Sequence, residues 1–250
     1  ALPGQNIVMR IHNRLAQRQR VSAYRVGWYE GNGARLVHRT SSFAATRQPD
    51  PVVRFVDNAG RKINEIDASH WSDSISIPTS GWPEGVYILT VDSQDGSRTQ
   101  VPFVLRSHTM AGRTVMVTAP STWQAYNRYG GYSCYYGLNP AAPGVSTVER
   151  SRVVNFNRPL DREFGVAHFM MMERGLIVQA EHHGTNMAYT TDVDMARDGA
   201  APYRDATTFF GLGHDEYWPN NRRQTYATLC DVGTNLVFAG ANTMWWRIRF

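Results

Sequence analysis

The chain has 250 residues, 42% of them hydrophobic and 19% charged, with a formal net charge of +5. A charged share below the roughly 25% of ordinary globular chains excludes a disordered protein and a coiled coil, and the length excludes a small stapled scaffold. No stretch reaches the roughly 20 apolar residues of a membrane helix, and the dispersed arginines, with Lys62 the only lysine, form no basic stripe, so neither a membrane nor a nucleic acid is the expected partner.

The start, Ala1-Leu2-Pro3-Gly4-Gln5, carries no export signal, which fits a cytosolic chain or, slightly better, a mature exported one. From there to Ser107 short runs rich in Val, Tyr, Phe and Thr are separated by the turn signals Gly31-Asn32-Gly33, Asn58-Ala59-Gly60 and Asp95-Gly96. The runs predict strands near 21–29, 35–39, 52–56, 74–77, 86–92 and 99–105, with one buried and one wet face where apolar and polar residues alternate. Residues 1–109 are therefore read as an antiparallel, Ig-like β-sandwich.

A polar joint at His108, Thr109, Gly112 and Arg113 precedes the apolar run Thr114–Ala119, and strand-like and helix-like segments then alternate. An amphipathic segment covers 161–174, a short strand leads to Tyr189, a buried strand covers 207–211, a helix runs from Pro219 to Leu229, and a last strand covers 235–239. This alternation predicts a mostly parallel sheet covered by helices. Residues 110–250 are read as a Rossmann-like or amidotransferase-like α/β domain, incomplete at its C-terminus if the last strand lacks a covering helix. Its irregular stretch between Tyr126 and Pro159, rich in Tyr, Gly, Asn and Pro, is long enough to suggest part of a site.

Ligands of such sheets bind beyond the carboxyl ends of the strands. Three predicted strands end just before Thr122–Asn127, His214–Trp218 and Asn242-Thr243, so the topology directs Tyr126, His214, Asp215, Glu216 and Asn242 to one crevice. Each has a plainer reading: an acidic run can cap the next helix, aromatics can pack beneath a loop, and Asn242 can satisfy a turn. Convergence at strand ends is what the plainer readings do not require. No Gly-x-Ser-x-Gly elbow, HExxH helix or phosphate loop is present, and the two cysteines, Cys134 and Cys230, exclude a CxxC zinc site and a disulfide framework, though one disulfide or two buried thiols fit. His182-His183 is read as an exposed turn rather than a metal site.

The segments Thr122–Asn127, Gly130–Tyr135, Gly213–Trp218 and Gly240–Arg247, together with Tyr24–Tyr29, resemble the family of the N,N-dimethylformamidase large (beta) subunit and its relatives. The resemblance implies a mononuclear iron held by two tyrosines and one glutamate. By motif position these are Tyr126, Tyr135 and Glu216, with Tyr132 and Tyr136 as alternatives for the second tyrosine; His214 and Asn242 lie next to the metal, where they orient water or a carbonyl. In the similar amidase a longer insertion separates the two tyrosines, and that family continues well past the Trp-rich motif, whereas this sequence ends at Phe250. That ending suggests a fragment, a processed chain, or a partner chain or oligomer that covers the open sheet face.

Two phenolates and a carboxylate are hard anionic oxygen ligands and suit a ferric ion. The expected function is hydrolysis of small amides or formamides, with a metal-activated water attacking the carbonyl and His214 protonating the departing amine. The alternatives are a non-catalytic ligand- or glycan-binding protein with a degenerate α/β domain, and an amidotransferase-like hydrolase that uses Cys134.

Overall fold

The computed structural model describes residues 1–138 and 145–250, so positions 139–144 of the irregular stretch lie outside the description. Its first part contains β1 (Asn6–Met9), β2 (Arg18–Val26), β3 (Ala34–Arg39), β4 (Phe43–Ala44), β5 (Val52–Val56), β6 (Lys62–Asp67), β7 (Ile75–Pro78), β8 (Gly85–Ser93) and β9 (Arg98–Leu105). Strands β3, β2, β8 and β9 lie side by side in an antiparallel sheet, with β4 added on β2, while β1 pairs with β7 and β5 with β6. The Asp95-Gly96 signal closes the β8–β9 hairpin, where Asp95 accepts from both the backbone and the hydroxyl of Ser97 at 2.9 and 2.7 Å. At Asn58-Ala59-Gly60, Asp57 Oδ1 likewise accepts from the amides of Ala59 and Arg61, joining β5 to β6.

The expected wet face is absent from the centre of the main sheet. Tyr87, Leu89 and Val91 pack with Val21, Ala23 and Leu105 against Ile7, Met9 and Ile77 on one side. Val86, Ile88 and Val104 pack on the other side against Phe169, Ile177, Met187 and Leu212 of the second half of the chain. The reason is visible in β8 itself, which is apolar without a break from Val86 to Leu89 and buried from Gly85 to Val91, as a strand covered on both faces must be. The Tyr24–Tyr29 run has a structural role at this junction: Arg25 binds Glu181 at 2.5 Å and the Tyr29 hydroxyl at 2.7 Å, and Trp28 stacks on His182 with ring centroids 3.9 Å apart. The Trp28 amide donates to Glu181 at 2.9 Å, and a Cβ on Gly27 would lie 1.9 Å from that carboxylate, so glycine permits the close approach.

The second part runs β10 (Thr114–Thr118), α1 (Pro120–Tyr126), β11 (Gly137–Leu138), β12 (Val145–Ser146), α2 (Arg174–His182), β13 (Met187–Thr191), α3 (Asp192–Asp198), β14 (Thr208–Leu212), β15 (Tyr217–Pro219), α4 (Asn220–Asp231), β16 (Asn235–Ala239) and β17 (Trp246–Ile248). A parallel sheet has the order β13-β10-β14-β16. Ile177 of α2 packs on the face turned to the antiparallel sheet, and Met195 of α3 with Tyr226 and Leu229 of α4 packs on the opposite face. The molecule is thus a mixed α/β fold with antiparallel sheets and a helix-covered parallel sheet. Its chain runs outward from β10 to β13, then returns past β10 to β14, which places the reversal between β10 and β14. The predicted amphipathic segment 161–174 opens with wide π-type turns at Arg162–Val166 and Phe169–Glu173 and continues through α2 to His182. Among the described residues no helix is long and apolar enough to cross a membrane.

Candidate metal and catalytic site

Two of the loops that meet at the reversal carry the chemistry. After β10, Pro120 at the start of α1 pre-sets the helical backbone, and Tyr126 ends that helix. After β14 the chain turns at Gly213, with φ of 62°. A Cβ on Gly240, at the end of β16, would sit 1.6 Å from the Gly213 carbonyl oxygen, so these two strand ends touch backbone to backbone.

In the His214-Asp215-Glu216 run that follows, neighbouring side chains take different partners. Asp215 turns down onto Arg222 of α4 with two bonds of 2.6 and 2.5 Å, both side chains fully enclosed. Glu216 is 1% exposed. Its backbone is fixed by its amide donating to Thr122 Oγ1 at 3.1 Å and by its carbonyl accepting from the Trp246 amide at 2.8 Å, at the β15–β17 pairing.

Both oxygens of Glu216 are taken by phenols. The Tyr126 hydroxyl donates to Oε1 at 2.6 Å and the Tyr135 hydroxyl to Oε2 at 2.5 Å, with the two tyrosine rings 4.4 Å apart. Burial, then the hydrogen bond to Glu216, pushes both phenols above their ordinary range, so each holds its proton in this arrangement. Of the tyrosine alternatives, Tyr135 reaches the carboxylate; Tyr132 is buried with its carbonyl held by Arg158, and Tyr136 lies under the Arg128 guanidinium at 3.8 Å. Ser133 makes the turn possible, its hydroxyl accepting from the amides of Tyr135 and Tyr136. His214 is half-buried with Nδ1 3.5 Å from Glu216 Oε1.

Asn242 does not join the cluster. It sits exposed on the turn after β16 with φ of 58°, its carbonyl accepting from the Trp245 amide at 3.0 Å, and its side chain makes no hydrogen bond to Tyr126, Tyr135 or Glu216. Cys134 and Cys230 are both free, Cys230 is exposed, and burial pushes the Cys134 thiol up to about 11, the wrong direction for a nucleophile.

One close neighbour was not singled out from the sequence. His168, in the π-turned helix, lies with its ring centroid 3.9 Å from that of Tyr126 and 6.2 Å from that of His214. Its Nδ1 bonds the Phe164 carbonyl at 3.0 Å, its Nε2 is buried without a partner, and burial lowers its pKa. The usable signal was a histidine inside an otherwise apolar helical face.

Behind Gly213, Glu173 is fully buried: Trp123 Nε1 donates to its Oε1 at 2.5 Å while Oε2 has no partner. Burial raises its pKa well above the ordinary 4.5, so the carboxyl keeps its proton. A folded-state pKa that is raised means stability is fully present below pH 4.5 and falls as the pH climbs. Glu173→Gln copies the protonated form. It is expected to raise the denaturation midpoint at pH 8 by about 1–3 kcal/mol equivalent and to change little at pH 4.5. An equal effect at both pH values would refute the protonated assignment.

Among the described residues no group of three or more His, Cys, Asp or Glu side chains forms a metal site. The donor set that does converge is different in kind: two phenol oxygens and one carboxylate, from the end of α1, the following loop and the stretch between β14 and β15. With both phenols deprotonated it carries three negative charges on hard oxygen ligands, and it fits a trivalent hard cation.

A family model described as N,N-dimethylformamidase beta subunit-like, C-terminal, matches residues 20–250. The chain belongs to this family. The match to the dimethylformamidase beta subunit-like family begins inside β2 and runs through the antiparallel sheets, the parallel sheet and the β15–β17 pair, so it spans every element that builds the tyrosine–glutamate cluster. Comparison with curated proteins gave no match.

Proposed function

We propose that this chain is a metal-dependent hydrolase of small amides or formamides, with one iron, as Fe3+, held by Tyr126, Tyr135 and Glu216. The observation that carries this reading is the convergence of both phenols on the two oxygens of one buried carboxylate. The family relationship supports amide hydrolysis in general terms. Bound there, a ferric ion would supply Lewis acidity toward an amide carbonyl and bring the pKa of a coordinated water toward neutrality.

The residues divide the remaining work. Glu216 cannot rotate away, because its backbone is bonded on both sides and its side chain is enclosed. Tyr126 and Tyr135 would give up their hydroxyl protons to hold the ion, which would make metal uptake proton-releasing and favoured as pH rises. His214, 3.5 Å from Glu216 Oε1, is placed to hand a proton to the departing amine nitrogen. Asn242, whose side chain makes no hydrogen bond to the cluster, is assigned the orientation of the substrate carbonyl or the attacking water, a contact that bound substrate would complete.

In the same reading the antiparallel sheets are one Ig-like sandwich over residues 1–109, because β1 and β7 share a core with the main sheet. Residues 110–250 are a Rossmann-like or amidotransferase-like domain. The exposed aromatics Phe238, Trp245, Trp246 and Phe250 along β16 and β17 suit a partner chain or a second copy.

One observation favours a second reading, a non-catalytic binding protein. A cavity of about 870 Å3 lined by Met9, Val91, Phe103, Trp123 and Tyr129 lies beside the antiparallel sheet and is not lined by the tyrosine–glutamate cluster. Elemental analysis and small-amide assays on the purified chain separate the two. About one iron per chain, a visible tyrosinate-to-iron band and release of amine from a formamide are expected. Protein that stays colourless and inert after incubation with iron, yet binds an apolar ligand unchanged, would reverse the choice.

A further inference from the structure

The two tyrosines are carried by separate segments that meet through one backbone bond beside them, the Cys134 amide donating to the Ala125 carbonyl at 2.8 Å. Tyr126 ends a seven-residue helix, and Tyr135 sits in a loop that is irregular from Tyr132 onward. A buried side chain adds several further links between them. Arg158, 5% exposed, donates through Nη2 to the carbonyls of Gln124 at 2.6 Å and Asn127 at 3.2 Å, through Nε to Gln124 Oε1 at 3.1 Å, and through Nη1 to the Tyr132 carbonyl at 2.9 Å.

The Gln124 and Asn127 carbonyls belong to the last turn of α1, where helix geometry provides no partner, and they bracket Tyr126 in sequence. The Tyr132 carbonyl opens the loop that delivers Tyr135. A planar guanidinium with five donors can hold all of these at once; an ammonium, a point charge, cannot. Arg158 makes no ion pair among the described residues, and burial lowers its pKa to about 10. A buried cation bonded only to uncharged oxygens is costly as scaffolding, since an apolar side chain could fill the same volume.

We propose that Arg158 is a positioning residue that sets the separation and mutual angle of the Tyr126 and Tyr135 phenols, and so the size of the site they form with Glu216. The catalytic consequence rests on the amide-hydrolase reading; the geometric claim does not.

The test therefore has a metal-free arm and a loaded arm. In metal-free protein the Tyr126 and Tyr135 rings, 4.4 Å apart, give a cross-ring nuclear Overhauser signal in the wild type. Arg158→Met is expected to lose it while the protein stays folded, and Arg158→Lys, which keeps the charge but not the fork, is expected not to restore it. In iron-loaded protein both variants should shift the tyrosinate band and lower kcat by about 10²-fold with KM little changed, the effect of a misplacement on the order of 1 Å. If Arg158→Met does not fold, Arg158→Lys carries the same readouts. A folded variant that keeps the wild-type ring signal and band overturns the proposal. A wild type without iron or band, in which the ring signal still depends on Arg158, would leave the positioning role standing and remove the metal reading instead.

Discussion

Glu216→Gln is expected to remove bound iron and lower kcat/KM toward a small formamide by about 10³-fold or more, the scale at which one electrostatic partner of a transition state is lost. The geometry makes this the most sensitive atom-for-atom change in the molecule. Both carboxylate oxygens accept from a phenol, and an amide offers one oxygen acceptor and one nitrogen donor, so one of the two tyrosines must accept instead of donate and its own O–H is left without an acceptor. An unmatched buried hydroxyl costs about 1–3 kcal/mol, so the variant should unfold somewhat earlier than the wild type but remain cooperative. The loss of one negative charge also takes the donor set from three to two, which no longer offsets a ferric ion. Iron quantification, the visible spectrum and amine release read all three effects together. Full activity in Glu216→Gln would place the chemistry elsewhere in the chain.

The largest effect on stability is expected from Arg222→Met, with a loss of about 3–5 kcal/mol against the 5–15 kcal/mol that holds a typical domain folded. Arg222 is completely enclosed and bonded twice to Asp215, and its field also acts on Asp192, which burial nevertheless pushes up to about 7. Removing the guanidinium leaves Asp215 charged and unpaired in the interior. Asp215→Asn alone strands the arginine in the same way. The double variant removes both charges and is expected to recover a large part of the loss in a double-mutant cycle read by denaturant unfolding. Losses that simply add would show that the pair is not coupled. Since Asp215 lies between His214 and Glu216, a folded Arg222→Met should also show altered metal binding, although Arg222 touches none of the proposed ligands.

Much of this was legible in the amino-acid order. The continuous apolar character of Thr114–Thr118 and Thr208–Leu212, and the turn chemistry of Asp95-Gly96, identified strands that the structure contains. The His-Asp-Glu run after β14 marked Glu216 because strand ends of parallel sheets are where polar side chains collect. Helix α1 was not legible as a helix, since seven residues are too few to display a period, and β1 (Asn-Ile-Val-Met) and β6 (Lys-Ile-Asn-Glu-Ile-Asp) lack a regular alternation of polar and apolar residues. His168 and Arg158 were missed for a physical reason: one acts through a ring stacked on Tyr126 and the other through backbone carbonyls, and neither kind of contact leaves a spacing in the sequence. The left-handed backbone of Asn242 is likewise announced by no neighbouring residue.

The main antiparallel sheet is roofed on both sides, and that fact limits how this molecule can be dissected. Val86, Ile88 and Val104 interlock with Phe169 and Ile177, so cutting the polypeptide near residue 110 would strip an oily floor from the half that bears the crevice. Transplanting the crevice into another scaffold would mean carrying both layers, because the helix that holds His168 against Tyr126 rests its weight on strands from the opposite end of the chain.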